Sequence, residues 1–265
     1  MIKLIATDMD GTLLNSRKKV GTNFKEVVKE LNERGVIFAL ASGRNFQRIK
    51  EKFDDMDLDL MYISDNGNYI EYKGEILNKN MLSKKDVLNL SDFLKKRNYC
   101  KASFSNENNI YTDDKYVYKI GRIFKYKSEF VKNLSDIDGD IIKCSVLVHS
   151  SMHSKLLAEL KEAFPHLNIS RSSKHTIDVN SGSMNKGKAI ELLKNIYSLS
   201  EKEVMVFGDY LNDLEMMDTA YFSYAMKNAH KDLKKRANFE APPNDKNGVL
   251  RVIKEVILDK NSSKC

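Results

Sequence analysis

The two ends of this chain alternate short apolar segments with amphipathic ones, and no other feature of the sequence limits its fold as strongly. The apolar segments predict buried strands at 2–8, 36–41, 60–63 and 204–207. Apolar residues at helical spacing predict helices at 24–31, 46–53, 187–197, 211–217 and 249–258. Strands that alternate with helices are typical of an α/β fold, in which helices cover both faces of a wound parallel sheet.

The middle of the chain follows a different pattern. Helices are predicted at 86–94 and 156–164, and strands at 141–149, 169–171 and 176–179. This order is typical of an α+β domain, and 265 residues are enough for two domains. We therefore predict a core domain formed by residues 1–79 and 186–265, with an inserted α+β domain at 80–185.

Composition narrows the class of protein. Hydrophobic residues make up 42% and charged residues 31% of the chain, which is typical of a globular protein. No apolar run approaches the ~20 residues of a membrane-spanning helix, and the N-terminus does not resemble a signal peptide. Cys100, Cys144 and Cys265 show no paired spacing, so we expect reduced thiols and a cytoplasmic protein. The net charge of +7 could attract an anionic substrate or simply reflect a lysine-rich surface.

Two aspartates stand at the end of the first predicted strand, in the sequence IATDMDGTLL. Asp8 and Asp10 are two residues apart, so in an extended chain their side chains point to the same side. Such carboxylates repel each other unless a cation lies there or one of them keeps its proton. Asp-Gly is also a common hairpin signal, but the residues after Gly11 do not alternate as a hairpin strand would.

The second predicted strand ends in Ser42, Gly43 and Arg44. A hydroxyl group, together with backbone N–H groups next to a glycine, can hold a phosphoryl oxygen. A plain strand-to-helix turn capped by Ser42 is the alternative for this stretch.

The strand at 204–207 is followed by the sequence GDYLND. Gly208 permits a sharp turn and leaves Asp209 at the strand end, while Asn212 and Asp213 follow within one turn. Oxygen ligands at this spacing suit Mg²⁺. Helix capping by Asp209 would explain one of these polar groups but not three together.

Lys186 opens a predicted helix in the sequence NKGK. A lysine is unfavourable at a helix N-terminus unless an anion is close, although a solvated lysine is the commoner case. In a wound parallel sheet, ligands bind beyond the carboxyl ends of the strands. Because all of these polar groups fall at strand ends or helix starts on that one predicted edge, we expect them to form one site for a divalent cation and a phosphoryl group.

These motifs resemble those of a known family. DMDGTLL, ASGR, NKG and GDYLND are similar, in that order, to the four motifs of the haloacid dehalogenase superfamily of phosphatases. ISDNG at 63–67 and the stretch 227–249 resemble its Cof-type branch, which usually has threonine and serine where this chain has Ala241-Pro242-Pro243. The resemblance covers the whole chain. It implies a Rossmann-like core with an inserted α/β cap, at 80–185 here, that closes over the leaving group and sets specificity.

The resemblance also implies roles for the aspartates. Asp8 would be the nucleophile that forms an aspartyl-phosphate, and Asp10 would protonate the leaving alcohol and then accept a proton from water. Mg²⁺ would be held by Asp8, the backbone carbonyl of Asp10 and Asp209, with Asp213 in support.

Further residues would bind the substrate. The family motifs assign the transferring phosphoryl group to Ser42, Lys186 and Asn212. Gly43 and Arg44 belong to the same strand-end motif as Ser42 and are expected to contact the substrate with it.

The implied function is a Mg²⁺-dependent phosphatase of small phosphorylated metabolites, such as sugar phosphates, nucleotide-like phosphates or phosphorylated cofactors. A phosphosugar mutase on the same scaffold is an alternative, because the motifs do not separate the two activities. A non-catalytic phosphometabolite-binding protein is a second alternative. The expected partner is the small phosphorylated metabolite, with neither nucleic acid nor membrane.

Overall fold

The computed structural model describes residues 1–123, 126–137, 139–182 and 184–259. Its first elements are β1 (Leu4–Asp8), α1 (Phe24–Glu33), β2 (Ile37–Ala41), α2 (Phe46–Phe53), β3 (Leu60–Ser64), β4 (Tyr69–Tyr72) and β5 (Glu75–Lys79). The middle contains α3 (Lys84–Lys95), β6 (Cys100–Ser105), β7 (Ile110–Thr112), α4 (Lys115–Ile123), β8 (Ser128–Phe130), β9 (Lys143–Val148), α5 (His153–Ala163), β10 (Leu167–Arg171) and β11 (Thr176–Ser181). The last elements are α6 (Lys186–Tyr197), β12 (Val204–Gly208), α7 (Leu214–Met217), β13 (Phe222–Met226), α8 (Lys231–Arg236), β14 (Phe239–Ala241) and α9 (Gly248–Ile253), which continues as a π-helix over Lys254–Leu258.

These elements form two compact units. The first unit comprises Met1–Ser42, Ile49–Leu77 and the chain from Asn185 onward, and the second comprises Gly43–Arg48 and Asn78–Met184. Along the described ranges, no helix combines the length and the apolar character needed to cross a bilayer.

The first unit is built on an eight-stranded sheet with the order β14-β13-β12-β1-β2-β3-β4-β5. The six strands from β14 to β3 are parallel, and β4 runs antiparallel to β3. Every residue of β1 is buried, as expected for a central strand of a sheet covered on both faces. The structure therefore confirms the predicted α/β fold with a wound, mainly parallel sheet.

Helix α1 shows how apolar spacing sets the packing of this unit. Its buried residues Phe24, Val27, Val28 and Leu31 recur at intervals of three or four and so lie on one face of the helix. The Phe24 ring packs against Phe38 of β2, with the ring centres 5.7 Å apart. Truncation of a buried phenylalanine to alanine costs about 3–5 kcal/mol of stability. The helix is therefore held to the sheet by burial of this apolar face.

The second unit has its own sheet of six strands, in the order β10-β11-β9-β6-β7-β8. Its pairs are antiparallel except for β7 and β8, which are parallel. Apolar residues of this sheet share a buried core with residues of α3 and α5, such as Leu90 and Leu156. The unit thus buries a hydrophobic core of its own.

The short segment Gly43–Arg48 belongs to the second unit although it lies far from the rest of that unit in the sequence. Lys143 donates a hydrogen bond to the Gly43 carbonyl at 3.0 Å. The Gln47 N–H donates to the carbonyl of Glu107 at 3.1 Å. These contacts connect the beginning of α2 to β9 and to the loop after β6.

Candidate active site

The carboxylates of Asp8 and Asp209 lie at the same edge of the eight-stranded sheet. Asp8 is the last residue of β1, and Asp209 directly follows β12, which pairs in parallel with β1. The Thr12 hydroxyl donates to Asp209 Oδ1 at 3.2 Å, so the loop after β1 contacts the end of β12. Parallel pairing therefore brings together two residues that are about 200 positions apart in the sequence.

Gly11 permits this close approach. Its φ angle is +86°, a left-handed conformation that favours glycine. A Cβ atom at this position would lie 2.2 Å from Asp209 Oδ2. Any side chain would therefore displace the Asp209 carboxylate, which explains the glycine in the DMDGT sequence.

Lys186 is fully buried between two carboxylates. Its Nζ donates hydrogen bonds to Asp8 Oδ1 at 2.5 Å and to Asp213 Oδ1 at 2.7 Å. The residue opens α6, and the Asn185 side chain caps this helix by accepting the Lys188 N–H at 2.8 Å. The cap and the two ion pairs together fix the ammonium group inside the site.

Asp213 also positions Asp209. Its Oδ2 accepts the backbone N–H groups of Asp209 at 3.0 Å and of Tyr210 at 3.3 Å. Leu211–Asp213 is a 3-10 turn, and the α-helix begins only at Leu214, so the helix predicted from Leu211 starts three residues later. The side chain of Asp213 satisfies the N–H groups that a strand end leaves without partners.

Burial and crowding change the pKa values in this site. Burial raises the pKa of Asp8 to about 8; the positive charge of Lys186 opposes this shift, and the charges of Asp213 and Asp209 add to it. Burial also raises the pKa of Asp209 to about 6, with a further contribution from Asp213. Burial by itself lowers the pKa of Lys186, but the charges of Asp213 and Asp8 outweigh it and raise the pKa, so the ammonium keeps its proton.

The donor set fits a hard divalent cation. Asp8, Asp209 and Asp213 each offer a carboxylate oxygen, and these oxygens all lie within 4.8 Å of one another. Oxygen ligands of this kind are the ones that Mg²⁺ prefers. One ammonium group does not balance three carboxylates; after burial, the negative charges of neighbouring carboxylates add to the raised pKa values of Asp8 and Asp209. A divalent cation would remove the excess.

Asp10 lies outside this buried group. Its side chain is 37% exposed, and the Lys18 Nζ donates to its Oδ1 at 2.8 Å. The loop that carries Asp10 is fixed by Asn228, whose side-chain amide donates to the carbonyl of Gly11 at 2.8 Å. The first strand end therefore presents one buried carboxylate, on Asp8, and one accessible carboxylate, on Asp10.

The remaining predicted site residues, Ser42, Asn212, Gly43 and Arg44, lie in different parts of the fold. Ser42 is buried directly after β2, and its N–H donates to the Ile63 carbonyl of β3 at 2.8 Å. Because β2 pairs in parallel with β1, Ser42 lies at the same sheet edge as Asp8. Asn212 lies in the 3-10 turn beside Asp213 and is exposed. Gly43 and Arg44 belong to the second unit.

The second unit contains a cavity of about 500 Å³. Cationic side chains and hydroxyl groups line this cavity, together with three apolar side chains, those of Ile110, Val117 and Ile120. The Arg48 guanidinium lies 4.4 Å from the centre of the Tyr126 ring in this cavity. The remaining lining residues are Arg44, Asn45, Ser103, Ser105, Thr112, Gly121, Ser128, Lys143, Ser145 and Thr176.

A larger cavity, of about 620 Å³, lies in the first unit. It is bordered by the loop before β3, including Asp57 and Asp59, and by Tyr62 and Glu71. This loop is at the amino end of β3, whereas Asp8 and Ser42 are at carboxyl ends of neighbouring parallel strands. The larger cavity is therefore separate from the candidate active site.

The model of the haloacid dehalogenase-like hydrolases matches residues 5–253. The chain belongs to this family. The resemblance inferred from its four motifs is thereby confirmed.

Named relatives of this hydrolase are phosphatases. This chain is 27% identical over 261 residues to 5-amino-6-(5-phospho-D-ribitylamino)uracil phosphatase YbjI of Escherichia coli. The alignment covers 97% of this chain and 96% of the relative. The chain is 26% identical over 286 residues to 5-amino-6-(5-phospho-D-ribitylamino)uracil phosphatase YwtE of Bacillus subtilis, with 97% and 98% covered. This haloacid dehalogenase-like hydrolase is a phosphatase of phosphoric monoesters.

Two solved structures are similar to this chain along nearly its whole length. A haloacid dehalogenase-like hydrolase from Bacteroides thetaiotaomicron has a TM-score of 0.88 at 25% identity, covering 97% of this chain and 100% of that one. The protein SMU.1108c from Streptococcus mutans has a TM-score of 0.85 at 29% identity, with 97% and 100% covered. The Rossmann-like core is therefore shared with both of these solved structures.

Three residues of this hydrolase that contact the site were not predicted from its sequence: Thr12, Lys18 and Asn228. Thr12 lies within the DMDGT motif, so its position beside Asp10 could have suggested it. Lys18 and Asn228 have no comparable signal, because their contacts depend on how two loops fold toward the end of β1.

Proposed function

We propose that this chain is a Mg²⁺-dependent phosphatase that transfers the phosphoryl group of a small metabolite to Asp8 and then to water. The observation that carries the proposal is the buried Lys186 ammonium, hydrogen-bonded to both Asp8 and Asp213 at the end of β1. A buried lysine between two carboxylates is costly for folding, and groups of this kind concentrate at functional sites.

Two displacements make up the proposed reaction. In the first, an Asp8 carboxylate oxygen bonds to phosphorus, the bond between phosphorus and the ester oxygen breaks, and that oxygen takes a proton from Asp10. In the second, the oxygen of a water molecule bonds to phosphorus, its proton passes to Asp10, and the Asp8 carboxylate is released. Asp10 suits this role because its carboxylate is accessible, whereas Asp8 is buried.

Asp8, Asp209 and the backbone carbonyl of Asp10 would hold Mg²⁺, with Asp213 in support. The ion would supply charge neutralisation for the phosphoryl oxygens when bound. Asp213 would contribute by keeping the Asp209 backbone and Lys186 in place, because both of its oxygens accept hydrogen bonds from these groups. Thr12 would hold the Asp209 carboxylate in orientation.

Ser42, Lys186 and Asn212 would bind the transferring phosphoryl group. Lys186 is charged and fixed, so it offers a pre-organised cation to the phosphoryl oxygens. Ser42 stands at the end of the neighbouring strand, and Asn212 is exposed in the turn next to Asp213. Gly43 and Arg44 would contact the substrate from the segment that directly follows Ser42.

We further propose that the cavity of the second unit binds the leaving group. The cationic side chains and hydroxyl groups of the cavity can donate hydrogen bonds to a polyol or to ring carbonyls. Its three apolar side chains, Ile110, Val117 and Ile120, can contact a planar ring. Two relatives are named as phosphatases of 5-amino-6-(5-phospho-D-ribitylamino)uracil, a compound that combines a polyol chain with a pyrimidine. The proposed substrates are this phosphate and other sugar-like, nucleotide-like or cofactor phosphates.

A phosphate-release screen over such metabolites, with and without Mg²⁺, tests the proposal. The protein should release phosphate and the free alcohol only when Mg²⁺ is present, and Asp8→Asn should lose at least about a thousandfold in rate while keeping its fold. Near-normal turnover by Asp8→Asn would contradict the covalent route. An isomerised phosphosugar as the main product would instead indicate a mutase, and ligand binding without any turnover would indicate a non-catalytic protein.

The role of the cavity has a separate test. Ile120→Trp would fill part of the cavity with a larger side chain. We expect it to raise the KM for the best metabolite of the screen at least about tenfold, because a lost apolar contact of this size costs over 1 kcal/mol. The kcat for p-nitrophenyl phosphate should not change. An unchanged KM for the metabolite would argue against leaving-group binding in this cavity.

A further inference from the structure

The contact between Lys18 and Asp10 is not explained by the family motifs. Lys18 Nζ donates to Asp10 Oδ1 at 2.8 Å, and the two side chains are 63% and 37% exposed. Lys18 lies in the turn Asn15–Lys19, eight residues after Asp10. An ammonium group thus reaches back from this turn to the accessible carboxylate of the candidate active site.

The turn is fixed by its own hydrogen bonds. The side-chain oxygen of Asn15 accepts hydrogen bonds from the N–H groups of Arg17 and Lys19, both at 3.0 Å, and the backbone carbonyl of Asn15 accepts the Lys18 N–H at 2.8 Å. Lys18 has a φ angle of +59°, a left-handed conformation that is unfavourable for a residue other than glycine. The turn therefore holds Lys18 in a conformation that its own preferences do not favour.

Two further contacts fix the turn to the rest of the first unit. The N–H and the hydroxyl of Ser16 both donate to the carboxylate of Asp245, each at 2.7 Å. Lys52 of α2 donates to the Lys18 carbonyl at 2.7 Å. Hydrogen bonds to Asp245 and from Lys52 thus fix the position of the turn that carries Lys18.

Stability does not account for this arrangement. Ion pairs between exposed side chains contribute little to folding, since solvent screens them and the lysine loses freedom. A strained backbone that the surrounding structure holds in place is instead a feature of functional sites. The exposed pair at Lys18 and Asp10 therefore calls for a role in the reaction.

We propose that Lys18 is a positioning residue, which holds the Asp10 carboxyl group in the orientation needed for proton transfer to the ester oxygen. This inference rests on the proposed function, in which Asp10 is the general acid and base. Small errors in the position of a catalytic group reduce rates strongly. Loss of Lys18 should therefore slow the step in which Asp10 acts, without changing how the phosphoryl group binds.

Proton transfer from Asp10 can be isolated by comparing kcat/KM for esters whose leaving groups differ in their need for a proton. An alkyl alcohol leaves poorly without a proton, whereas p-nitrophenolate leaves readily without one. The ratio kcat/KM reports the steps up to departure of the alcohol, so the later attack of water does not enter it. A misplaced Asp10 should therefore reduce kcat/KM for an alkyl ester and leave kcat/KM for p-nitrophenyl phosphate nearly unchanged.

The experiment compares Lys18→Met with the wild type on two substrates, p-nitrophenyl phosphate and the alkyl monoester that the screen finds to be hydrolysed fastest. General acid–base catalysis contributes about 10²–10⁴-fold, so partial loss of positioning should lower kcat/KM for the alkyl ester about tenfold. The change for p-nitrophenyl phosphate should stay within about twofold. Lys18→Arg, which keeps a cationic donor, should restore most of the lost rate.

Lys19→Met is the matched control, because it removes a neighbouring exposed lysine from the same turn. It should leave both substrates unaffected, and the thermal midpoints of all three variants should equal that of the wild type. Equal losses on both esters, or no loss on either, would overturn the positioning role. If the wild type itself hydrolyses neither ester with Mg²⁺, the proposed function fails and this inference with it.

Discussion

Lys186 Nζ lies 2.5 Å from Asp8 Oδ1, and these two residues are 178 positions apart in the sequence. The contact joins the start of α6 to the end of β1 and is buried. It places a fixed positive charge against the proposed nucleophile, and a second bond to Asp213 extends the pair to the end of β12. Three separate segments of the first unit therefore depend on one side chain.

Replacement of this side chain should affect both folding and activity. Lys186→Met leaves the carboxylates of Asp8 and Asp213 buried without their cation. Removing one partner of a buried ion pair costs about 3–5 kcal/mol. We therefore expect the free energy of unfolding in urea to fall by about this amount, and phosphate release to be lost. Lys188→Met, in the same first turn but exposed, is the control. Equal stability of the two variants would contradict the role given to Lys186.

Mg²⁺ should stabilise the folded protein measurably. A ligand at about 100 times its dissociation constant adds about 2.7 kcal/mol when it binds only the folded state. We expect a Mg²⁺-dependent rise in the unfolding midpoint of the wild type and a much smaller rise in Asp209→Asn, because this substitution removes a ligand charge. EDTA should abolish activity, and added Mg²⁺ should restore it. An equal rise in both proteins would exclude Asp209 as a ligand.

Gly11→Ala and Gly74→Ala form a matched pair. Both glycines have similar left-handed φ angles, +86° and +82°. A Cβ at Gly11 would meet Asp209 Oδ2, whereas a Cβ at Gly74 would have no atom of the described residues within 4 Å apart from its chain neighbours. Both variants should lose about 1 kcal/mol of stability from the backbone strain, but Gly11→Ala alone should lose Mg²⁺-dependent activity. Normal activity of Gly11→Ala would show that Asp209 tolerates displacement.

Glu203 should give the stability of the first unit a defined pH dependence. Hydrogen bonds from Lys3, and then from the N–H and hydroxyl of Ser200, lower the pKa of Glu203 from 4.5 to about 2. Because the folded state favours the ionised form, this stabilisation is complete above the unfolded value of 4.5 and is lost as pH falls toward 2.

The corresponding measurement is the difference in urea midpoint between the wild type and Glu203→Gln across this range. The difference should be nearly constant above pH 5, should fall to a small fraction by pH 2 and should vanish below it. Glu201→Gln, in the same turn, corrects for the general loss of one acidic charge. A difference of the same size at pH 2 as at pH 6 would show that packing, rather than the charge of Glu203, is responsible.

The strand ends of the first unit could be predicted from sequence because their signals are local. The apolar run before Asp8 and the run before Gly208 each span one strand, and the polar residues follow at once. Parallel pairing of such strands then places Asp8 and Asp209 at one edge without further information. Most predicted helices of this unit also began within two residues of their observed starts, as at Phe24 and Phe46.

The remaining features depend on contacts between distant residues. Helix α4 and strands β6 to β8 were not predicted from sequence. Strands β7 and β8 are only three residues long, too short for a periodic pattern, and α4 interleaves tyrosine with lysine instead of showing a plain apolar run. The segment Gly43–Arg48 joins the second unit through Lys143 and Glu107, which no local pattern indicates. The reach of Lys18 to Asp10 likewise depends on a turn held by Asp245 and Lys52.

The central position of β1 has a consequence for synthesis of the protein. Leu4 pairs with Ile37 on one side and with Val204 on the other, so β1 leaves the ribosome long before its second neighbour exists. Residues 78–184, which supply nearly all of the second unit, emerge in between and contain that unit's own core. The nascent chain must therefore keep the apolar residues of β1 partly uncovered while the intervening part is translated. The residues proposed to be catalytic come together only after β12 has been made.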